Sequence, residues 1–359
     1  MNFTLTEEQE FLQEAARGAL SRFKTVEAAR DALEGEAAAD LWPTAVEAGW
    51  PGLLISEANE GAGLEPIDAM LVFEELGKVL AAVPLLGHLP ATFVLDRAGA
   101  DTGLLSELAA GARRACFVGA APPSGVEDHW TVAAARGPQR VPADGEAAWW
   151  VPDAPGADVY VVAGQGTATL AEAAEVEPVM RYDATRSLGH VRVTGGTPLE
   201  VDPDVLVNAW HLQSALLGAE SLGAVERALE VSVAYAKERF TFGRAIGSYQ
   251  AMKHQLVEIL RLMDNAKSLM MYAGWAGSDQ PDEFALAASA FRLKAGKALE
   301  EASRIQISVH GGIGATFEHD APLYFRKAQL SRRLLGGTAG AADRVADELF
   351  RQATRAGAL

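Results

Sequence analysis

The sequence predicts a mainly helical α+β protein, in which an N-terminal helical domain and a C-terminal four-helix bundle flank a central β-barrel or β-sandwich. Three observations predict it. Apolar residues recur at helical spacing in the first third, short β-like runs follow between residues 115 and 194, and long apolar stripes fill the remainder. The predicted domains are residues 1–112, 113–202 and 203–359.

Composition narrows the class of protein. The chain has 359 residues, 49% of them hydrophobic, which suits packed domains rather than disorder. Its formal net charge of −17 disfavours nucleic acid and anionic membranes as partners. The single cysteine, Cys116, excludes an internal disulfide, the histidines lack metal-ligand spacing, and the acidic N-terminus does not match a signal peptide. We expect a cytoplasmic protein without a metal.

The first third of the chain contains several signals for helix starts and ends. Thr6 followed by acidic residues predicts a capped helix start. A second helix is predicted around 41–48 and ends at Gly49, and a third begins after Pro66. The apolar stretch 79–95 contains two prolines and a histidine, so it is not predicted to span a membrane.

The middle of the chain changes character. Short apolar runs alternate there with Gly, Pro and Asp, as in an all-β unit. The predicted strands are 115–119, 130–134, 149–151, 159–162 and 190–193.

Helical periodicity returns after Pro203. The four predicted bundle segments lie within 212–229, 252–263, 284–299 and 341–350. Long helices joined by short connections are typical of an antiparallel four-helix bundle.

The segment 239–250 is the first candidate binding motif. It places Arg239 at a helix end beside Phe242, two glycines and Gln250. A guanidinium fork suits a diphosphate and an aromatic face suits a flat ring. The alternative is a plain helix–turn–helix in which Arg239 caps carbonyl groups.

The second candidate is the segment 310–314, which reads His-Gly-Gly-Ile-Gly. Its three glycines allow backbone N–H groups to approach an anion closely. The alternative is a simple turn that ends a helix with a glycine cap.

Together, and in this order, these segments resemble the acyl-CoA dehydrogenase family. The resemblance covers essentially the whole chain, and the family fold has the same order of domains as the one predicted from periodicity. The motifs that carry it are 5–9, 48–53, 73–77, 239–243 with Gln250, 309–314 and 324–326.

The resemblance implies an FAD-dependent enzyme with the flavin between subunits. In the family, a carboxylate removes the α-proton of an acyl-CoA thioester while the β-hydride passes to the flavin N5. Matching positions imply that residues of the first motif contact the FAD of a neighbouring subunit, and that glycines of the second lie along its adenosine-diphosphate half. The first set is Arg239, Thr241, Phe242 and Gln250, and the second is Gly311, Gly312 and Gly314.

The expected catalytic base is missing from both places where the family carries it. Gly336 occupies the base position in the segment 335–338, and Gln213 occupies the alternative position on the first bundle helix. Neither side chain can abstract a proton. Glu220 lies two helical turns after Gln213 on the same face and is the remaining candidate. The alternative is a structural role, either in a salt bridge to a neighbouring helix or at a subunit contact.

The β domain also departs from the family. The loop 118–125 lacks the Glu and the Ser-Asp that flavin-holding members carry, and 149–153 is a degenerate form of another flavin loop.

This pattern resembles a subunit of the actinobacterial α2β2 acyl-CoA dehydrogenases that act on steroid and sterol side chains. The resemblance implies a bulky acyl-CoA substrate, a base supplied by a homologous partner subunit, and an electron-transfer flavoprotein as acceptor. Two alternatives stay open: a self-sufficient homotetramer that uses Glu220, and a scaffold subunit without catalytic function.

Overall fold

Helices occupy both ends of the chain, and two small β-sheets lie between them. The computed structural model describes residues 3–36, 39–119, 145, 147–163, 167–179 and 183–355. The N-terminal helices are α1 (Glu7–Leu20), α2 (Thr25–Asp31), α3 (Trp42–Glu47), α4 (Pro66–Lys78), α5 (Leu85–Arg97) and α6 (Thr102–Ala109).

Local signals explain where the first helices begin and end. The Thr6 hydroxyl accepts from the Gln9 backbone N–H, and the Gln9 side chain accepts from the Thr6 N–H, which together form a capping box. Gly49 adopts a φ of +72° after α3, and Pro66 is the first residue of α4. The three predicted helix positions are therefore confirmed, whereas α2, α5 and α6 were not predicted.

Helix α5 forms the centre of the N-terminal domain. It corresponds to the apolar stretch 79–95, and it is buried on all sides apart from its C-terminal end. His88 ties it to its neighbours, because its Nδ1 accepts from the Ala115 N–H at 3.0 Å and its Nε2 lies 3.2 Å from the Pro51 carbonyl oxygen. Pro90 lies inside the helix and has no N–H for the Leu86 carbonyl.

Seven strands of the described residues form two sheets in the middle region. Strands β1 (Ala115–Val118), β3 (Val159–Ala163), β4 (Ala168–Ala171) and β7 (Thr197–Leu199) form one sheet in that order, with β1 and β3 parallel. Strands β2 (Ala147–Pro152), β6 (Leu188–Arg192) and β5 (Glu175–Pro178) form the other, which is antiparallel. Four of the predicted strands are confirmed, and the fifth, 130–134, lies outside the described residues.

Strands β1 and β3 of the larger sheet are buried on both faces. In β3, Val159 and Val161 pack with the helices, whereas Tyr160 and Val162 pack between the sheets against residues such as Val191 of β6. This explains why the strand reads as a continuous apolar run. The described strands form two packed sheets and do not close into a barrel, which favours the sandwich form of the prediction.

The C-terminal part is the predicted helical bundle. Its elements are α7 (Pro203–Glu238), the short strands β8 (Phe240–Thr241) and β9 (Arg244–Ala245), α8 (Gln250–Asp279), α9 (Pro281–His310), α10 (Ala321–Ser331) and α11 (Gly337–Arg355). The four predicted segments fall in α7, α8, α9 and α11.

Helices α4 and α7 cross with their backbones in contact. A Cβ atom on Gly77 would lie 1.9 Å from the Glu220 carbonyl oxygen, and one on Gly223 would lie 1.8 Å from the Glu74 carbonyl oxygen. The crossing therefore requires glycine at both positions. It joins the N-terminal helices directly to the first bundle helix.

Among the described residues, no helix is both long enough and apolar enough to cross a lipid bilayer.

Candidate functional site

A short hairpin carries most of the first candidate motif. Helix α7 ends at Glu238, Arg239 follows it, and strands β8 and β9 pair on either side of the turn Phe242-Gly243. Both turn residues have positive φ, +48° and +77°, as the tight two-residue turns of hairpins require. This turn leaves the Phe242 side chain 93% exposed.

The hairpin is held in place by this chain's own contacts. The Ile246 N–H donates to the Arg239 carbonyl oxygen at 2.7 Å, and the Tyr249 hydroxyl donates to the Thr241 carbonyl oxygen at 3.2 Å. The Arg244 guanidinium lies 3.8 Å from the centre of the Tyr249 ring. Among the described residues, the Arg239 side chain has no hydrogen-bond or ion-pair partner, so it is available to a ligand.

The three glycines of the second motif differ in what surrounds them. Gly311 has a φ of +66°, and neither it nor Gly312 has any atom within 4 Å of an added Cβ. Gly314 is buried, and its Cβ would lie 2.7 Å from the Ile307 carbonyl oxygen. The first two glycines thus leave open backbone for a ligand, while Gly314 is required by packing.

The fold brings the two motifs together. The rings of Tyr235 and His310 lie 4.3 Å apart, and these residues come one turn before Arg239 and directly before Gly311. Six predicted cofactor residues are exposed on this side of the bundle. We call them the hairpin–glycine surface, formed by Arg239, Thr241, Phe242, Gln250, Gly311 and Gly312.

This surface has the chemistry that the implied FAD would need. It combines a guanidinium without a protein partner, an exposed aromatic face and backbone N–H groups beside an open glycine pair. These groups suit a diphosphate and an aromatic ring system, respectively. Because they project from the surface of this chain, they suit a cofactor shared with a neighbouring subunit.

Gln213 has a structural partner. Its side chain is 1% exposed, and its Nε2 donates to the Leu86 carbonyl oxygen at 3.1 Å. That oxygen lacks the helical N–H that residue 90 would donate if it were not proline. Gln213 therefore closes a hydrogen bond between α7 and α5, where a carboxylate would bring one acceptor against another.

Gly336 lies in an unusual turn between α10 and α11. Leu335, Gly336 and Gly337 have φ values of +56°, +79° and +64° in succession. A Cβ on Gly337 would lie 2.0 Å from the Arg332 carbonyl oxygen. This backbone favours glycine, and residue 336 is buried, so the turn is suited to its small residues.

Glu220 is buried in a network of charges. Its carboxylate accepts from Arg186 Nη2 at 2.7 Å and from Lys327 Nζ at 2.8 Å. Burial opposes ionisation, but the attraction of the two cations outweighs it and holds the pKa of Glu220 below its ordinary value. A paired carboxylate with a lowered pKa is a poor general base, so these contacts favour a structural role.

The same network links the three parts of the chain. Arg186, which follows β5, also pairs with Asp153 at 3.0 Å, and Asp153 accepts from the Gly87 N–H of α5 at 3.0 Å. The sequence gives no signal for this cluster, because its members are far apart along the chain and none belongs to a periodic pattern.

The candidate flavin loops of the β domain are partly outside the described residues, which end at Gly119 in the loop 118–125. The second, 149–153, makes contacts within the domain. The Trp149 ring lies 4.4 Å from the His190 ring, the Trp150 N–H donates to His190 Nδ1 at 3.3 Å, and Asp153 is taken by Arg186.

Within the described ranges, no group of three His, Cys, Asp or Glu side chains has the arrangement of a metal site.

Comparisons with known proteins agree with this fold. Residues 6–102 match the family model for the acyl-CoA dehydrogenase N-terminal domain, and residues 205–350 match the one for the C-terminal domain. The acyl-CoA dehydrogenase IpdE2 of Mycolicibacterium smegmatis is 33% identical over 349 residues, which cover 96% of this chain and 100% of that protein. IpdE2 of Mycobacterium tuberculosis is also 33% identical, over 92% of this chain and 94% of that protein.

Solved structures show the same architecture. A chain of the ChsE4–ChsE5 complex of Mycobacterium tuberculosis has a TM-score of 0.82 at 25% identity, covering 97% of this chain and 99% of that one. A chain of the steroid acyl-CoA dehydrogenase Tcur3481–Tcur3483 has a TM-score of 0.84 at 26% identity, covering 98% and 100%. The fold is also that of PigA, solved with FAD, at 21% identity, a TM-score of 0.81 and coverage of 97% and 99%. The chain therefore belongs to the acyl-CoA dehydrogenase family of FAD-dependent oxidoreductases.

Proposed function

We propose that this chain is one subunit of a hetero-oligomeric FAD-dependent acyl-CoA dehydrogenase, in which a homologous partner subunit supplies the catalytic base. The observation that carries the proposal is the contrast between two regions. Gln213 and Gly336 occupy the two base positions, where both are buried and have structural roles, while the hairpin–glycine surface is exposed.

In this assembly the chain contributes binding and orientation. FAD supplies the hydride acceptor when it is bound. Arg239 would pair with the diphosphate of FAD, and Phe242 would cover an apolar face of the cofactor and exclude water. The backbone at Gly311 and Gly312 would approach the adenosine-diphosphate half of FAD. Gln250 adds an amide at the start of α8. The α-proton of the thioester goes to a carboxylate of the partner subunit.

The proposed substrate is a bulky acyl-CoA thioester, such as one with a steroid side chain, and the proposed acceptor is an electron-transfer flavoprotein. The steroid enzyme Tcur3481–Tcur3483 and the two-chain ChsE4–ChsE5 complex support this choice, since both resemble this chain over nearly its whole length. The same two structures support a heteromeric assembly over a homotetramer.

The homotetramer that would use Glu220 is the weaker alternative. The Glu220 carboxylate is held by Arg186 and Lys327, and the residue is 2% exposed. A substrate could therefore reach this carboxylate only if both ion pairs were broken.

The test is to purify the chain alone and together with its homologous partner. We expect flavin absorption, a heterotetrameric native mass and turnover of a steroid side-chain CoA thioester only for the complex. Flavin and turnover in the lone chain would overturn the proposal. If instead a stable complex that carries Arg239→Ala keeps the flavin content and the turnover of the wild type, this chain is a scaffold subunit.

A further inference from the structure

Two arginines are buried together inside the helical bundle. Arg292 on α9 is 0% exposed and Arg344 on α11 is 5% exposed. The Arg344 guanidinium lies 4.1 Å from the centre of the Trp210 ring, and its Nε donates to the Ser289 hydroxyl at 3.3 Å. The Arg344 guanidinium therefore lies between α7, α9 and α11, whereas that of Arg292 reaches the end of α10 and the turn after it.

Most of their N–H groups have no acceptor among the described residues. Arg292 uses Nη2 for the carbonyl oxygens of Ser331 and Leu334, but its buried Nε and Nη1 have no partner in the described part of the chain. The same holds within the described ranges for both Nη atoms of Arg344 and for the indole Nε1 of Trp210.

No carboxylate of the described chain compensates these charges. Among the described residues, no acid lies within ion-pair distance of either guanidinium. Asp343 acts on Arg344 and Glu220 acts on Arg292 only from farther away, and Glu220 already pairs with Arg186 and Lys327. Two buried cations thus lie close enough for the charge of Arg292 to act on Arg344.

Loss of the proton does not remove the charge at neutral pH. Burial, together with the charge of Arg292, lowers the pKa of Arg344 to about 9, and burial lowers the pKa of Arg292 to about 10. Both groups therefore stay cationic, and a buried cation without a counter-ion strongly destabilises a fold. A bound anion would supply the missing counter-charge.

We propose that Arg292 and Arg344 form a buried binding site for a small oxyanion within the bundle. Guanidinium groups present their N–H atoms as planar forks that match the oxygen pairs of a carboxylate, sulfate or phosphate. The Trp210 N–H adds a neutral donor. The inference does not depend on the proposed function, because none of these residues belongs to the hairpin–glycine surface or to a base position.

Occupancy would also act on the turn that carries Gly336. The carbonyl oxygens that Arg292 holds, those of Ser331 and Leu334, lie on the segment leading into this turn. An anion that fixes the Arg292 guanidinium would fix this backbone as well.

The first test is a titration of the full chain with millimolar phosphate or acetate at constant ionic strength, read as the unfolding temperature. We expect a saturable rise of roughly 3 °C, because a ligand that binds only the folded state stabilises it. A rise with acetate alone indicates a planar carboxylate site, and a rise with phosphate indicates a tetrahedral one. No saturable rise with either, as trapped water would give, overturns the proposal.

Variants assign the effect to the two arginines. Arg344→Met should abolish the saturable rise, whereas the matched change Arg351→Met, at a partly exposed ion pair on the same helix, should keep it. If Arg344→Met does not fold, Trp210→Phe keeps the ring and removes one donor, and it should weaken binding several-fold. Crystals soaked in selenate should give an anomalous selenium peak between Arg292 and Arg344, and its absence contradicts the site.

Discussion

Gln213 and Leu86 are joined by a hydrogen bond of 3.1 Å from the side-chain amide to the carbonyl oxygen that Pro90 leaves free. Because Pro90 of α5 has no N–H, the Leu86 carbonyl oxygen needs a hydrogen-bond donor from another helix. The Gln213 amide is this donor, so the absence of an acid at this expected base position has a structural reason as well as a functional one.

The change Gln213→Glu should therefore destabilise the chain rather than create a base. A carboxylate oxygen would face the Leu86 carbonyl oxygen, and we expect a loss of about 2 kcal/mol or more in the free energy of unfolding at pH 7. Protonation would restore a donor, so the loss should shrink as the pH falls. Urea unfolding at pH 7 and pH 5 checks this, with the exposed Gln255→Glu as control. A variant as stable as the wild type at pH 7 would contradict the role assigned to the amide.

Arg239→Ala should lower the flavin content of the assembled complex without affecting folding. The Arg239 guanidinium has no partner among the described residues, so its removal leaves no unpaired group behind. We expect at least a tenfold weaker retention of FAD, measured as flavin absorption per complex after dialysis. Arg261→Ala removes an exposed arginine of α8 and should leave the flavin content unchanged.

Glu220→Gln should reduce stability and leave catalysis unchanged. It removes the charge that two buried cations share, which should cost about 3 kcal/mol in the free energy of unfolding. Turnover per folded complex should stay at the wild-type value, because the residue does not act as the base. The control is Glu258→Gln, at a partly exposed ion pair with Arg261, and it should alter unfolding far less. A folded Glu220→Gln complex that has lost activity would reinstate this residue as a catalytic candidate.

His88 should make the fold less stable in mild acid. Burial lowers its pKa to about 4, and its Nδ1 is occupied as the acceptor for the Ala115 N–H. His88 takes up a proton near pH 6.5 in the unfolded chain but not in the folded one. The contribution of His88 to stability is therefore complete above pH 6.5 and is lost as the pH falls towards 4. From pH 8 to pH 5 we expect a loss of about 2 kcal/mol from this residue. His88→Gln should remove this contribution in urea unfolding and leave that of the buried His211, whose pKa burial lowers to about 3, while the exposed His254→Gln should keep the full dependence.

The elements that the sequence predicted well are those with strong local signals. The capped start of α1, the glycine after α3 and the long stripes of α7, α8 and α9 depend on neighbouring residues only. Helix α5 was missed because it is apolar on every side, so that no stripe separates a buried face from an exposed one.

The candidate site was likewise predictable only where its signal is local in sequence. The motifs around Arg239 and Gly311 are continuous in sequence, and the stacking of Tyr235 on His310 unites them only in the fold. A salt bridge was one alternative for Glu220, but the partners of Gln213 and Glu220 could not be predicted. Leu86, Arg186 and Lys327 are far from them in sequence, and no local pattern indicates a carbonyl group freed by proline or a buried cation. The domain limits 1–112, 113–202 and 203–359 stay a prediction.

The contact of α4 and α7 at Gly77 and Gly223 bears on how the chain can be divided. A fragment that begins at α7 would expose the face of α7 that α4 covers, including the apolar residues that the two helices bury together. We therefore expect the first and last thirds of the polypeptide to unfold as one cooperative unit, although a stretch of sheet separates them in sequence. Truncation before Pro203 should yield insoluble protein and not an excised helical domain.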